Sequence, residues 1–158
     1  MFLVGDGPER HAKQIRSWLN DHPSVALVVA AVYFEWTLRR VIIGLSLEPN
    51  RVLREKLGKI YGLPKLSGCW NHQLRHLPDY LALKSIINFK AVGGAFEARN
   101  DIAHGKERYT RKMAQPHIEA LLQAVAKVRE FCLERGFDPM KKLPIRRRAT
   151  PRATPLRP

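Results

Sequence analysis

The chain has 158 residues, with 28 lysines and arginines against 14 acidic residues and a net charge of +14. This length suits a single domain, an apolar share of 45% argues against wholesale disorder, and the longest apolar run, residues 25–34, is far short of the ~20 residues that cross a membrane. The excess of positive charge favours an anionic partner, with nucleic acid as the leading candidate, although acidic proteins and anionic lipids also bind basic chains.

Apolar residues at helical spacing predict three helices in the first half of the chain. The first extends from about residue 7 to residue 21, with Pro8 in its first turn, and Pro23 marks the break after it. A long central helix is expected over residues 25–47, because this segment exceeds the usual length of a strand and contains no turn signal. The third helix is expected over residues 51–61.

The middle of the chain is less regular. Residues 63–79 contain Gly68, Trp70 and two prolines, so we expect a long ordered loop with at most one helical turn. A helix should follow over residues 80–98. Gly93 and Gly94 weaken that helix by about 1 kcal/mol each relative to alanine, which predicts a kink or a close helix contact.

The last helix is the clearest, because its apolar residues fall on one stripe and Gly136 and Pro139 end it. The stripe consists of Ile118, Leu121, Leu122, Val125, Val128 and Cys132. Residues 139–158 hold five prolines, seven basic residues and no acid, a composition typical of disorder. We therefore expect an all-α bundle of about four to five helices over residues 1–138, followed by a disordered basic tail.

A dense polar cluster lies between the last two long helices and contains Arg99, Asn100, Asp101 and His104. On an unbroken helix, five residues of separation correspond to about 140°, so Arg99 and His104 would not share a face. We expect a break after Arg99, with Asn100 or Asp101 capping a new turn, which would aim both side chains at one cleft or at a partner subunit.

These residue types suit phosphate chemistry. His104 can take a proton from a ribose 2′-hydroxyl or give one to a leaving oxygen, and Arg99 can grip two phosphate oxygens and stabilise the charge that develops on phosphorus. Asn100 would hold the phosphate or the loop, and Asp101 would orient His104, although each is equally explicable as a helix cap. A second interpretation makes Arg99 and Asp101 surface groups and His104-Gly105 an ordinary helix ending.

The run Arg-Asn-Asp-Ile-Ala-His-Gly, residues 99–105, resembles the signature of the HEPN superfamily: an arginine, a polar residue, and a histidine four to six positions further on. The surrounding pattern of long early helices and a motif before the final helix resembles an HEPN-like helical bundle over roughly residues 10–135. The resemblance implies a metal-independent endoribonuclease that acts as a homodimer. Two copies of Arg99 and His104 would face each other across a composite cleft, and cleavage would leave a 2′,3′-cyclic phosphate.

The resemblance also implies a toxin or antiviral-defence effector, with an antitoxin or sensor protein as a partner and no cofactor. Lys106 stands where many toxin members carry a tyrosine, which argues against regulation through that position. Basic residues near the motif and in the tail are the expected RNA contacts. They are Lys106, Arg108, Arg146, Arg147 and Arg148.

Two further side-chain groups are candidates for a role. Cys69, His72 and His76 have a spacing that would suit zinc with a fourth ligand from elsewhere, although a loop rich in His and Trp more often simply packs. Glu35 and Arg39 form an i, i+4 pair, and a buried Glu35 would need a partner, for which Arg99 or His104 is a candidate across the bundle.

The cysteine count and the N-terminal residues indicate the location of the protein. Cys69 and Cys132 are too few for a disulfide framework, and residues 1–8 lack the basic start and apolar stretch of a signal peptide, so we expect a cytoplasmic protein without a membrane partner. The alternative to the nuclease is a non-catalytic helical module that binds RNA or another protein. Cleavage of RNA with turnover would indicate the nuclease, whereas stoichiometric binding without cleavage would indicate the non-catalytic module.

Overall fold

The computed structural model describes residues 7–146, and these residues form seven helices and no strand. The helices are α1 (Pro8–Ser17), α2 (Pro23–Leu45), α3 (Asn50–Leu57), α4 (Leu63–Leu74), α5 (Leu83–Ile86), α6 (Phe89–Ala103) and α7 (Arg111–Leu133). The all-α prediction is confirmed. The count exceeds the expected four to five because the middle of the chain contributes α4 and a separate short α5.

The central helix α2 organises the core and packs against α1, α3, α4, α6 and α7. Leu27, Phe34 and Ile42 on α2 are fully buried. The ring of Phe34 meets the ring of Phe96 on α6 edge to face, with centroids 6.1 Å apart. The predicted stripe of α7 faces this core, with Ile118 and Val128 fully buried. None of the helices between residues 7 and 146 is both long and apolar enough to cross a membrane.

The loop predicted over residues 63–79 is wrong, because α4 occupies twelve of those residues. Leu63, Leu66, Trp70 and Leu74 recur at helical spacing and are all buried. Trp70 anchors the helix, since its indole Nε1 donates a hydrogen bond of 3.0 Å to the carbonyl of Leu81. Burial of this apolar face outweighs the local breakers that suggested a loop.

The single helix predicted over residues 80–98 is divided into α5 and α6. Asn88 starts α6, because its side-chain oxygen accepts a hydrogen bond of 3.1 Å from the backbone N–H of Ala91. The helix then continues through Gly93 and Gly94 to Ala103. No close helix contact accounts for Gly93, since no atom lies within 4 Å of where its Cβ would stand.

The predicted disorder does not hold for residues 139–146, which lie against the bundle. Met140 is buried, and Asn50 donates a hydrogen bond of 2.7 Å to the carbonyl of Pro144. Arg146 donates to the carbonyls of Ile43 and Gly44, two of the orphan acceptors at the end of α2. These two carbonyls have no partner within α2, and by accepting from Arg146 they hold residues 139–146 against the bundle. Residues 147–158, the rest of the predicted tail, lie outside the described residues.

Candidate functional site

The motif lies at the C-terminal end of α6. The helix continues past Arg99 to Ala103, and the N–H of His104 bonds the carbonyl of Asn100 at 2.9 Å. Gly105 then adopts a positive φ of 66°, and the N–H of Lys106 closes the end on the carbonyl of Asp101 at 2.9 Å. The predicted break after Arg99 is therefore wrong, because the helical hydrogen bonds continue and glycine supplies the left-handed residue that ends them.

Arg99 is half-buried and Asn100 is exposed. The guanidinium Nη1 of Arg99 donates a hydrogen bond of 2.9 Å to the side-chain oxygen of Asn100. Within residues 7–146, Arg99 makes no ion pair with a carboxylate. Because a guanidinium has five N–H donors, this arrangement leaves Arg99 able to bind an anion while Asn100 positions it.

His104 is exposed at the helix end, but Asp101 does not orient it. Asp101 instead pairs with Lys106 at 3.5 Å, and both side chains remain open to solvent. In the described residues no hydrogen bond joins Asp101 to His104 as predicted, because the chain reversal at Gly105 brings Lys106 back to Asp101 instead. This pair also offsets part of the Lys106 charge that we assigned to RNA binding.

Glu35 does not make the predicted contacts. Arg39 directs its guanidinium to the carbonyls of Leu57 and Ile60, the latter at 2.8 Å, where α3 ends. The carbonyls at the end of α3 and in the turn that follows it thus take the donors expected for Glu35. In the part of the chain that the structure describes, Glu35 is half-buried and forms no hydrogen bond or ion pair with Arg39, Arg99 or His104.

The loop between α6 and α7 holds the remaining predicted RNA contacts near the motif. Arg108 is exposed and lines a cavity of about 550 Å³ together with His22, Val25 and Ile102. The backbone N–H of Tyr109 donates a hydrogen bond of 3.1 Å to the Ser24 hydroxyl, which ties the loop to the start of α2. Arg108 therefore presents its charge from a loop with a defined position.

The predicted RNA contacts in the basic tail are not presented in the same way as Arg108. The guanidinium of Arg146 is bonded to the end of α2, so it is not free for RNA as predicted. Arg147 and Arg148 lie outside the described residues.

A groove between the start of α4 and α6 ends at the motif and was not predicted. Its volume is about 580 Å³, and we call it the glycine groove. Its lining includes Pro64, Phe89, Lys90, Gly93, Gly94 and Asn100. The paired glycines were the available sequence signal, although we interpreted them as a helix contact.

An apolar stripe on the outer face of α2 was also missed. Val25, Val28 and Val32 share this face at i, i+3 and i+7, and we call them the valine stripe. Val25 is 52% exposed and Val32 is 42% exposed. Ile102 of α6 lies beside Val25 at the shared cavity, so the stripe borders the motif-bearing helix end. The sequence signal was that this helix is apolar nearly all round.

The zinc spacing does not form a metal site. Cys69 is half-buried on α4, and His72 is exposed on the same helix. Among residues 7–146, no group of three or more His, Cys, Asp or Glu side chains is arranged to hold a metal ion.

Comparison of the chain with protein-family models, with curated proteins and with solved structures finds no match. The candidate function therefore depends on the residues of this chain.

Proposed function

We propose that this protein is a metal-independent endoribonuclease of the HEPN type, with Arg99 and His104 as its catalytic residues. One observation carries the proposal. The guanidinium of Arg99 and the imidazole of His104 lie at one accessible helix end, and in the described chain neither is neutralised by a carboxylate. By contrast, the guanidinium groups of Arg39 and Arg146 are bonded to backbone carbonyls.

The proposed reaction uses the RNA's own hydroxyl as nucleophile. His104 accepts the proton of a ribose 2′-hydroxyl, the 2′-oxygen forms a bond to phosphorus, and the bond from phosphorus to the 5′-oxygen breaks. The His104 of a second copy of the chain, in its protonated form, gives the leaving 5′-oxygen its proton. The products are a 2′,3′-cyclic phosphate and a 5′-hydroxyl. Arg99, steadied by Asn100, offsets the negative charge that develops on the phosphoryl oxygens.

Two copies of the chain would complete this site. Because α6 continues to Ala103, Arg99 and His104 project about 140° apart, so one protomer does not aim both at one phosphate. We place the two-fold contact at the valine stripe, because it is exposed apolar surface next to the motif-bearing helix end. A two-fold pair through this face would bring one protomer's Arg99 toward its partner's His104.

The cellular role follows from the family resemblance. We propose a toxin or defence effector that acts on RNA in the cytoplasm, with an antitoxin or sensor protein to restrain it. Arg108 supports RNA binding, because it is exposed close to the motif and makes no ion pair in residues 7–146.

The test compares the protein with its His104→Ala and Arg99→Ala variants on total RNA in EDTA, with the new RNA ends mapped. We expect cyclic phosphate ends from the parent and a loss of cleavage of at least about 100-fold in each variant. Lys127→Ala is the matched control, because Lys127 is an exposed cation on α7 with no ion pair in the described chain. Circular dichroism checks that all variants remain folded.

Equal cleavage by the parent and both motif variants would overturn the assignment of the site. If all of them bind RNA equally and none cuts, the catalytic proposal is wrong and the non-catalytic binding module replaces it.

A further inference from the structure

Two adjacent glycines in the middle of α6 have no packing reason. Each costs about 1 kcal/mol relative to alanine in a helix interior. A Cβ on Gly93 would meet no atom within 4 Å, and a Cβ on Gly94 would make only ordinary contact, 3.8 Å from Cε1 of His117. Neither glycine has a positive φ. Stability therefore does not explain them, whereas a function that needs bare helix surface would.

That bare surface is the floor of the glycine groove. The groove starts at Pro64, where α4 begins, crosses Gly93 and Gly94, and ends at Asn100, the residue that holds Arg99. Its volume of about 580 Å³ lies within the range of small-ligand sites. A ligand in the groove is thereby continuous with the proposed phosphate site.

The groups along the groove suit a nucleotide rather than a bare anion. Lys90 in its wall is an exposed cation that forms no ion pair in the described part of the chain. Glu97 is an exposed acceptor in the same wall, and Phe89 contributes a half-buried ring. Cations hold phosphates, a carboxylate accepts from a base amino group, and an aromatic ring supports stacking.

We propose that the glycine groove binds a single-stranded ribonucleotide adjacent to the scissile phosphate. The absence of Cβ atoms on Gly93 and Gly94 lets the ribose and base lie against the helix backbone. An unpaired strand is required, because a base held in a duplex cannot turn into a groove of this kind. This inference depends on the proposed function, since it names a subsite of the same RNA site.

The experiment fills the groove without disturbing the fold. Gly93→Gln places a side chain in the groove, and Gly68→Gln is the matched control, because Gly68 is also within a helix and a Cβ there would meet no atom within 4 Å. Both changes favour helix, so neither variant should melt below its parent. A labelled single-stranded oligoribonucleotide is titrated against each variant in a His104→Ala background, and binding is followed by fluorescence polarisation.

We expect Gly93→Gln to weaken binding by about 10-fold or more, the loss of one stacked base, and Gly68→Gln to leave it unchanged. A duplex of the same sequence should compete poorly. If Gly93→Gln binds and, with His104 restored, cuts like the parent, the groove proposal is wrong and the nuclease stands. If the protein with His104 intact binds RNA without cutting it and Gly93→Gln loses binding, the groove is an RNA-binding site but the nuclease proposal is wrong. A parent that binds no RNA overturns both.

Discussion

The ring of Phe137 lies directly against the backbone of Gly44 on α2, with its Cε2 atom 2.6 Å from where a Cβ on Gly44 would stand. A methyl group at this position must displace the ring, and overpacking of this kind costs about 1–3 kcal/mol. Gly44→Ala should therefore lower the free energy of unfolding by that amount in urea denaturation. Gly68→Ala is the control, because its Cβ would meet open space, and it should be neutral or stabilising by up to about 1 kcal/mol. A Gly44→Ala protein as stable as the parent would contradict the contact.

Arg39 joins α2 to the end of α3 through the carbonyls of Leu57 and Ile60. Arg39→Met keeps the aliphatic stem but removes the donors, so it should cost about 1–3 kcal/mol of unfolding free energy. Glu35→Gln should change stability by less than about 0.5 kcal/mol, because Glu35 forms no ion pair with Arg39 in the described chain. Denaturation of both variants and of the double variant measures this. A large coupling between the two positions would show that they pair after all.

The carboxyl of Glu48 should contribute to stability in mild acid. Its pKa lies below the ordinary value of 4.5, mainly because Lys56 donates a hydrogen bond of 2.7 Å to it and Gln73 donates another of 3.0 Å. A carboxyl with a lowered folded pKa stabilises the fold above its unfolded pKa, and this stabilisation is lost as the pH falls from about 4.5 through the folded value.

Urea denaturation between about pH 6 and pH 3 should therefore give a steeper loss of stability for the parent than for Glu48→Gln. The variant keeps part of the pH dependence, because a hydrogen bond from Arg16 lowers the pKa of Glu119 in the same direction. Identical pH profiles for parent and variant would mean that the Glu48 contacts do not affect stability.

The two thiols should react at different rates. Cys132 on α7 is fully buried, and burial raises the pKa of its thiol to about 12, while half-burial raises the pKa of Cys69 as well. Because the thiolate is the reactive form, a disulfide reagent at neutral pH should label Cys69 slowly and Cys132 only on unfolding. Cys69→Ser should abolish the slow labelling of the native protein. Prompt labelling that survives Cys69→Ser would place Cys132 at the surface instead.

The valine stripe predicts a measurable self-association. Val32→Glu places a charge in the proposed interface and should shift the protein from dimer to monomer in sedimentation velocity, with cleavage lost in parallel. Leu133→Glu is a matched control, because Leu133 is 44% exposed and Val32 is 42% exposed. A parent that is monomeric at all concentrations, yet cuts RNA, would contradict the composite site.

The sequence was informative wherever one local rule decided the structure. The apolar periodicity of α7 predicted its buried face, because any helix with such a stripe must cover it. The same periodicity is present in α4, but we gave more weight to Gly68 and Pro64 as loop signals, and only the burial of Trp70 shows that the helical spacing decides the structure there. The identities of Arg99 and His104 marked the candidate site, but the continuation of the helix to Ala103 was not predicted.

By itself, the sequence determined the all-α fold that residues 7–146 show, and the residue types of the polar segment 99–104 that we interpreted as suited to phosphate. Only the tertiary structure decided which arginine side chains are already bonded within the protein. Arg39 and Arg146 bond carbonyls 18 and 103 residues away in the chain, whereas Arg99 bonds only its neighbour Asn100 in the described residues. The physical reason is that backbone carbonyls at helix ends and in the turns after them accept from the nearest donor in space, and that distance is set by packing, not by position along the chain.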